Sequence, residues 1–476
     1  MLAPAAHVDS DIPARLDNLA WSAWHWRVVT ALGITWVLDG LEVTLVGAIG
    51  SVLQERETLG LSATEIGLTG SVYIAGAILG ALVFGHLADR HGRKRLFLVT
   101  LGLYLVATVA TACSVGLISF ALCRFVTGTA IGGEYSAINS AIDELIPARL
   151  RGVVDLAING SYWLGTALGA VASAVLLDPR VLGHELGWRA VFALGGVLSV
   201  SMLLVRRYVP ESPRWLLVHG RHAEAEAIVR EIEQHCARFD DASEPRRMRV
   251  LQGHKLSLAG VARVMFTQYR SRSLLGVTLM VAQAFFYNAI FFTYALTLTK
   301  FYDVPPESVG HYLLPFALGN FLGPVLLGRL FDSLGRRVMI SFTYAASGLL
   351  LLLTGYLFHA QLLNAQTHTL LWSCAFFFAS AAASSAYLTV SEIFPLELRG
   401  LAIAVFYAIG TGTGGLLAPI LFGYLIESGQ RSELFMGYAL GATLMLMAAG
   451  VALKYGVAAE RRPLEEIARP LSEIEG

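Results

Sequence analysis

A series of long apolar runs, separated by short charged loops, constrains the fold of this chain more than any other feature. A run of about 20 mostly apolar residues can cross about 30 Å of hydrocarbon as a helix. Twelve such runs predict an all-α membrane protein with twelve transmembrane helices, at residues 27–54, 64–88, 95–113, 116–142, 153–177, 187–208, 273–299, 308–331, 337–358, 367–391, 401–426 and 432–455. Only 15% of the residues are charged, against about 25% in soluble domains, and the mean hydropathy is +0.60.

The charged loops predict the orientation of the chain. Lys and Arg concentrate in the loops after the even-numbered spans, such as "DRHGRKR", "PARLRG" and "DSLGRR". Because basic loops stay in the cytoplasm, we expect both termini to be cytoplasmic, in a bacterial inner membrane. The predicted domains are a six-helix bundle at 1–208, a cytoplasmic linker with short helices at 209–272, a second bundle at 273–456 and a cytoplasmic tail at 457–476.

Composition and motifs also predict what the chain does not do. The 35 basic and 35 acidic residues cancel, so no net charge indicates a nucleic-acid partner. The four cysteines show neither disulfide nor metal-ligand spacing, and the polar, acidic N-terminus does not resemble a cleaved signal peptide. Since no nucleotide-binding motif, catalytic triad or metal constellation is present, we expect neither an enzyme nor a bound cofactor.

Two motifs occur once in each half of the chain. "GHLADRHGRKR" from Gly85 matches "GRLFDSLGRRV" from Gly328, and "ELIPARLRG" from Glu144 matches "EIFPLELRG" from Glu392. The separation is nearly the same for both, and each motif lies in an equivalent loop. The pattern predicts a duplicated six-helix unit whose halves face each other around a central cavity.

These motifs resemble the major facilitator superfamily of transporters over nearly the whole chain. "PESPRWLL" after the sixth span is similar to the sugar porters, whereas "LDGLEV" and "TAIGGEYSA" are similar to the aromatic-acid, nicotinate and organic-ion carriers. The resemblance implies two bundles related by a pseudo-two-fold axis that work by alternating access. Small organic solutes, protons and membrane lipid are the expected partners, and we expect a monomer.

The resemblance further implies a cytoplasmic gate, in which charged pairs hold the two halves together when the inner side is shut. The predicted gate residues are Gly85, Asp89, Gly92, Arg93, Glu144, Arg151, Glu211, Arg214, Asp332, Arg336, Glu392 and Arg399. We expect pairs between neighbours in the sequence, such as Glu144 with Arg151 and Glu392 with Arg399. Alternatively, the basic residues only anchor the topology.

Three ionisable residues stand out within the predicted spans, where each costs about 2.5–3.5 kcal/mol. At about 1.5 Å per residue, Asp39 and Glu42 lie about 18 and 22 Å from the cytoplasmic end and Arg124 about 26 Å. The sequence therefore predicts a proton-coupling site at Asp39, Glu42 and Arg124, and the resemblance to sugar porters implies the pair Asp39 with Arg124. A static salt bridge and an Arg124 that binds a substrate carboxylate stay open as alternatives, while Glu134 and Asp155 are assigned to the inner belt.

Polar and aromatic residues near mid-depth predict the substrate cavity. The predicted lining is Asn159, Trp163, Gln283, Tyr287, Asn288, Asn320, Tyr387 and Tyr407. Compared with the sugar porters, the chain keeps one glutamine and the asparagine of the seventh span but loses other hydroxyl-binding residues. An aromatic site with a few amides suits a flat or amphipathic organic solute.

These patterns predict a secondary transporter that imports a small organic solute, preferably an organic or aromatic acid, together with protons. A proton-driven exporter of drugs or metabolites, a sugar or polyol transporter, and a non-transporting membrane sensor are the alternatives.

Overall fold

The computed structural model describes residues 7–177, 180–206, 209–236, 248–251, 258–291, 293–305, 309–469 and 471. The first half contains α1 (Ile12–Asp17), α2 (Ala23–Leu53), α3 (Ala63–His91), α4 (Arg93–Ala112), α5 (Leu117–Leu145), α6 (Arg151–Gly160), α7 (Tyr162–Leu176) and α8 (Gly183–Arg206). The linker contains α9 (Pro213–Val218), α10 (His222–His235) and α11 (Leu258–Thr267). The second half contains α12 (Arg270–Phe291), α13 (Tyr294–Tyr302), α14 (Val309–Ser333), α15 (Arg336–His359), α16 (Ala365–Ile393), α17 (Arg399–Gly410), α18 (Leu416–Glu427), α19 (Arg431–Tyr455) and α20 (Leu464–Ile467).

The predicted all-α membrane fold with twelve crossings is confirmed. Within the described residues, nine helices are long and apolar enough to span a membrane. The other three crossings are α2, α5 and the pair α6–α7, which contain buried polar side chains such as Asp39, Arg124 and Asn159. Large apolar side chains on the outer surface, including Val106 and Ile420, are exposed, as helices that face lipid require.

The two halves pack their helices in the same pattern. In the first half α3 contacts α5, α2 contacts α7, and α4 contacts α8; the equivalent contacts of the second half are α14 with α16, α12 with α17 and α18, and α15 with α19. Between the halves, α14 packs on α6 and α7, and α17 packs on α3. The repeat in the sequence is therefore also a repeat in packing, and the second and fifth crossings of each half form the interface.

Two spans predicted as single helices are divided in the structure. The span 153–177 breaks at Ser161, whose hydroxyl donates to the carbonyls of Ile158 at 2.6 Å and Gly33 at 3.1 Å. Hydroxyl bonds to the preceding turn compete with the helix ladder and bend helices. The span 273–299 divides into α12 and α13 around Thr293, whose hydroxyl bonds in the same way to its own helix.

The glycine-rich part of the predicted span 401–426 forms a wider helical turn at Thr411–Gly415. A β-carbon at Gly414 would lie 2.4 Å from the backbone nitrogen of Phe285, and one at Gly410 would lie 2.8 Å from the carbonyl oxygen of Met280. These glycines let α12 approach this segment closely.

A small antiparallel sheet joins the N-terminus to the linker, and it is an addition to the predicted all-α fold. Strand β1 (His7–Ser10) pairs with β2 (Met248–Leu251). Next to it, Arg15 of α1 binds two carboxylates of α10, Glu226 at 2.8 Å and Glu233 at 2.6 Å. These contacts fix the N-terminal segment on the linker.

Helices α3 and α5 are held together by reciprocal glycines. A β-carbon at Gly80 would lie 1.9 Å from the carbonyl oxygen of Thr129, and one at Gly132 would lie 1.9 Å from the carbonyl oxygen of Ala77. Because apolar burial gives little driving force for helix association in lipid, small residues that permit close backbone contact stabilise such pairs.

We expect Gly80→Ala to lower the stability of the purified protein by about 1–3 kcal/mol, the usual cost of overpacking. The matched control is Gly70→Ala in the same helix, where no atom lies within 4 Å of the added carbon. Thermal unfolding in detergent measures both variants. Equal midpoints would contradict the close packing of α3 and α5.

Candidate substrate cavity and charge network

A cavity of about 240 Å³ lies between the two halves near the middle of the helices. Both halves contribute to its lining, in which nine of the twenty residues are aromatic and a few others carry amides or hydroxyls. The lining residues are Trp36, Val43, Tyr73, Ile74, Ala77, Tyr135, Asn159, Tyr162, Trp163, Gln283, Ala284, Tyr287, Asn288, Phe291, Ser380, Ala383, Ser384, Tyr387, Tyr407 and Thr411. This lining presents aromatic faces to a bound solute and a small number of directional polar groups.

Most of the residues predicted for the cavity line it. They are Asn159, Trp163, Gln283, Tyr287, Asn288, Tyr387 and Tyr407. The prediction that Asn320 lines the cavity is corrected, because this residue is fully buried behind the lining. Its side-chain oxygen accepts a 2.7 Å hydrogen bond from the Tyr287 hydroxyl. Asn320 therefore orients Tyr287 and does not itself face the cavity.

Several lining residues were not predicted from the sequence. Ser380 and Ser384 share one face of α16 with the predicted Tyr387, because the three residues are spaced by about one helical turn. This spacing is a signal that the sequence carried. Trp36 and Tyr73 carried no comparable signal, since single aromatic residues in an apolar helix are typical of ordinary packing.

The buried charges pair differently from the prediction. Arg124 Nη1 donates to Glu42 Oε1 at 2.6 Å, whereas Asp39 Oδ2 accepts a 2.5 Å hydrogen bond from the Tyr135 hydroxyl. The predicted pair of Asp39 with Arg124 is therefore wrong. The reason is the position of each acid along α2. Glu42 lies about one helical turn further from the start of this helix than Asp39, at the level of Arg124.

Arg124 does not line the cavity but lies directly behind its wall. The guanidinium carbon is 4.3 Å from the ring centroid of Tyr73, a cation–π contact, and Tyr73 is a lining residue. Arg124, Glu42 and Asp39 are at most 6% exposed. One aromatic ring therefore separates the buried charge pair from the cavity.

Of the two acids that the sequence assigned to the inner belt, Glu134 lies elsewhere, whereas Asp155 lies near Asp143 and the belt residues Glu392 and Arg336. Glu134 borders a small enclosed space together with Asp39. Asp155 accepts a 3.2 Å hydrogen bond from the amide nitrogen of Asn159, which lines the cavity. Both acids are buried.

One cluster of gate residues joins the end of α3 to the start of α17. Asp89 Oδ2 accepts the backbone N–H of Leu401 at 3.0 Å, where the positive end of the α17 dipole favours a carboxylate. Arg93 lies 3.1 Å from both Asp89 and Glu144, and Glu144 lies 3.6 Å from Arg399 of the other half. These contacts hold the two halves together on the side of the molecule that carries the linker, which we call the linker side.

The second cluster repeats this arrangement with the roles of the halves reversed. Asp332 at the end of α14 accepts the backbone N–H of Val153 at 2.8 Å, at the start of α6. Arg336 binds Asp332 at 2.8 Å and Glu392 at 3.0 Å, and Glu392 lies 3.7 Å from Arg151. The pseudo-two-fold symmetry of the sequence is therefore present in the hydrogen bonds of the interface.

Two predicted pairs of sequence neighbours, Glu144 with Arg151 and Glu392 with Arg399, are corrected by these clusters, whereas Asp89 does contact Arg93 and Asp332 does contact Arg336. Glu144 pairs with Arg399 and Glu392 with Arg151, so each acid contacts the arginine of the opposite half. The exchange occurs because each arginine begins a helix that packs at the interface. Arg151 also approaches Asp17 and Asp143, at 3.5 and 3.9 Å.

Glu211 and Arg214 lie at the same side but do not pair with each other. Glu211 accepts the backbone N–H of Arg93 at 2.9 Å at the start of α4. Burial raises the pKa of Glu211, and the backbone N–H groups that it accepts oppose this shift. Arg214 binds Asp17 at 3.0 Å and Glu465 at 2.8 Å.

Glycines allow the gate carboxylates to lie close to the backbone of neighbouring helices. A β-carbon at Gly400 would lie 2.6 Å from Asp89 Oδ1, and one at Gly152 would lie 2.6 Å from Asp332 Oδ1. Gly92 has a φ of +98°, and a β-carbon there would lie 2.2 Å from Glu211, so glycine is required on both counts. Gly85 is buried within α3.

The twelve crossings, the central cavity and the ion pairs between the halves define a membrane carrier and not an enzyme. The sequence model of the family described as "Sugar (and other) transporter" matches residues 22–471. The chain belongs to this family of the major facilitator superfamily.

Three similar relatives are transporters named for niacin, 4-hydroxybenzoate and gallate. The niacin transporter NiaP of Acinetobacter baylyi is 26% identical and covers 96% of this chain and 99% of its own length. The 4-hydroxybenzoate transporter PcaK of the same organism is 26% identical over 84% of this chain and 85% of its own. The gallate transporter of Pseudomonas putida is 26% identical over 94% of both chains.

Solved structures show the same fold. The proton:xylose symporter XylE bound to 6-bromo-6-deoxy-D-glucose is 19% identical, with a TM-score of 0.76 over 94% of this chain and 98% of that one. A partially occluded inward open conformation of XylE from E. coli gives a TM-score of 0.64 over 91% and 99%.

We expect Asp89→Asn to shift the protein towards the state that is open on the linker side. The amide loses part of the charged hydrogen bond to Leu401 and the ion pair with Arg93, and such bonds contribute about 1.5–3 kcal/mol. Spectroscopic distances between labels on α3 and α17 measure the shift, with Asp303→Asn as control, since Asp303 lies in an exposed turn outside the gate. An unchanged distance distribution for Asp89→Asn would contradict the gate.

Proposed function

We propose that the protein is a proton symporter for a small aromatic carboxylic acid. The observation that carries this proposal is a set of buried carboxyls at Asp39 and Glu42, separated by single aromatic side chains from an aromatic cavity between the two halves. A carrier needs a site that changes protonation next to the site that binds the solute, and this arrangement supplies both.

The composition of the cavity supports an aromatic solute. Rings of Tyr162, Trp163, Tyr287 and Tyr407 face the space, and flat solutes gain from offset or edge-to-face contacts with such rings. Three relatives are named as transporters of niacin, 4-hydroxybenzoate and gallate. Each of these solutes contains an aromatic ring and a carboxyl group. A sugar would need many paired hydroxyls, since unpaired polar groups are costly when buried.

The carboxylate of the solute would be held by amides and hydroxyls. Among the described residues that line the cavity there is no lysine or arginine. Gln283 and Asn288 each donate one contact to their own helix, to Met280 and Ala284, and each retains further hydrogen-bonding capacity. The positive charge of Arg124 behind Tyr73 supplies a longer-range attraction.

The cycle follows from these contacts. When Glu42 takes up a proton, Arg124 loses its anionic partner and its charge becomes available to the anionic solute. When Asp39 takes up a proton, its ionic hydrogen bond to Tyr135, which also lines the cavity, is weakened. Solute binding and protonation therefore favour each other, which is the coupling that symport requires.

We further propose that the linker side is the cytoplasmic side of a bacterial inner membrane. Contacts of Arg214 with Asp17 and Glu465 bring the N-terminal segment, the linker and the C-terminal tail together on one side. The basic loops are on this side, as the positive-inside rule requires.

We expect Asp39→Asn to abolish uphill accumulation while solute exchange stays measurable, because the amide cannot carry the proton but keeps the shape of the site. In proteoliposomes, a gradient of about one pH unit drives about tenfold accumulation by one-proton symport, since it is worth about 1.4 kcal/mol. Glu42→Gln is measured in parallel, with Glu185→Gln as the exposed control.

Normal accumulation by Asp39→Asn would exclude this residue as the proton carrier. The same vesicles test the direction of transport. Accumulation with acid outside supports import, whereas loss of the solute against its own gradient would support the proton-driven exporter and contradict symport.

We expect aromatic monocarboxylates, and not xylose, to raise the thermal stability of the purified protein. A ligand at about 100 times its Kd stabilises by about 2.7 kcal/mol. Asn288→Leu removes a polar contact of the cavity and should abolish the shift, whereas Gln430→Leu, on the exposed surface, should retain it. A shift with xylose alone would favour the sugar alternative.

A further inference from the structure

Four aromatic residues of the cavity lining form a cluster in which the two halves touch. The ring centroid of Tyr135 on α5 lies 4.8 Å from that of Trp36 on α2 and 4.9 Å from that of Tyr407 on α17. The ring of Tyr387 on α16 lies 6.5 Å from both tyrosine rings. All four side chains line the central cavity, so the first half and the second half meet there through their rings.

The contact between Tyr135 and Tyr407 lies on the linker side of the cavity. In the gate, Glu144 lies 3.6 Å from Arg399. Tyr135 precedes Glu144 on α5 and Tyr407 follows Arg399 on α17, each by a little more than two helical turns. At about 1.5 Å per residue, both rings therefore lie about 12–14 Å from the gate. A solute that leaves the cavity on the linker side requires these two rings to separate.

The hydroxyl of Tyr135 binds the acid that we propose as the proton carrier. It donates a 2.5 Å hydrogen bond to Asp39 Oδ2. The Tyr135 side chain is therefore held at its hydroxyl by Asp39 and at its ring by Trp36 and Tyr407. A hydrogen bond to a carboxylate is about twice as strong as one between neutral groups, so the charge of Asp39 determines how firmly the ring is held.

We propose that Tyr135 transmits the protonation of Asp39 to the contact between the two halves. The Asp39 carboxylate holds the Tyr135 ring against Tyr407 and keeps the linker side shut. When Asp39 takes up a proton from the opposite side of the membrane, one O–H bond forms on its carboxyl group, and Tyr135 keeps its own proton. The weakened hydrogen bond lets the Tyr135 side chain regain rotamer entropy, which favours separation of the rings.

This proposal rests on the proposed function, because it requires Asp39 to carry the coupled proton. The sign of the effect is the one that symport needs. The loaded, protonated carrier must open on the linker side, whereas the empty, unprotonated carrier must shut there in order to return. Since the carboxylate stabilises the shut state, protonation favours the first step and loss of the proton favours the second. Tyr135 acts in both steps as a positioning residue.

Other charged and titratable groups also surround Asp39. They are Glu42 on its own helix, Tyr73 on α3, Tyr104 on α4, Arg124 and Glu134 on α5, Tyr162 on α7, Tyr387 on α16 and Tyr407 on α17. Glu42 binds Arg124 within the first half. Tyr135 combines a hydrogen bond to Asp39 with a ring contact to the second half, which makes it the direct connection between the acid and the interface.

The test measures opening on the linker side of the purified protein without solute, from spectroscopic distances between labels on α3 and α17 at a series of pH values. We expect acid to lower the ratio of shut to open protein. This pH effect should be about fivefold smaller in Tyr135→Phe, which keeps the ring but loses the hydrogen bond, given the difference between charged and neutral bonds. The matched control is Tyr424→Phe, at an exposed position of α18, which should keep the wild-type response.

A double-mutant cycle checks that the two residues act through one contact. The double variant of Asp39→Asn and Tyr135→Phe should show the same ratio of shut to open protein as Tyr135→Phe alone, because the hydroxyl is already absent. Thermal unfolding identifies a variant that fails to fold. If Tyr135→Phe fails, Tyr407→Leu replaces it, since this substitution removes the other partner of the ring contact and should reduce the same pH effect.

A wild-type pH response in folded Tyr135→Phe, or in Tyr407→Leu where it is used instead, would overturn the role of Tyr135. Additive effects of Asp39→Asn and Tyr135→Phe would also overturn it, since the two residues would then act through separate contacts. In both cases the proposed function stands if Asp39→Asn has lost pH-driven accumulation of 4-hydroxybenzoate in proteoliposomes. Normal accumulation by Asp39→Asn would overturn the assignment of the proton to Asp39 and this inference with it.

Discussion

The conformation of this protein depends on carboxylates that end helices of one half and bind helix N-termini of the other. Asp89 reaches the start of α17 and Asp332 reaches the start of α6, and in both places the unpaired N–H groups of a first turn need an acceptor. Because each half supplies one donor and one acceptor site, the two contacts strengthen and weaken together. A rocking motion that separates the halves on the linker side must break both at once, which makes this closure a two-state element.

The exchange of partners in the gate adds specificity to this closure. Each arginine that begins an interface helix pairs with the acid of the opposite half, so neither cluster is complete within its own bundle. Buried ion pairs contribute little net stability but are costly to leave half-made. The clusters therefore penalise partly open states more than they stabilise the closed one, and this favours discrete opening over gradual loosening.

The sequence predicted the crossings, the repeat and most of the charged residues that pair at the interface between the halves, since long apolar runs and repeated motifs are local signals. It failed where the outcome depended on which residues meet across the fold. Glu144 and Arg151 are neighbours in the chain, yet the interface assigns them to different partners. Asn320 has the polarity of a cavity residue but lies behind Tyr287. The small cavity at Asp39 could not be predicted either, because it arises from the packing of four helices and not from a motif.

The balance of buried charge argues against the static salt bridge that the sequence left open. A structural ion pair would match one acid with one base. Around Asp39, the described residues include two further carboxyls, Glu42 and Glu134, and a single guanidinium, that of Arg124. In a medium of low dielectric constant, two uncompensated negative charges so close together are far more costly than one ion pair. In the proton symport that we propose, protons supply the positive charge that this space otherwise lacks.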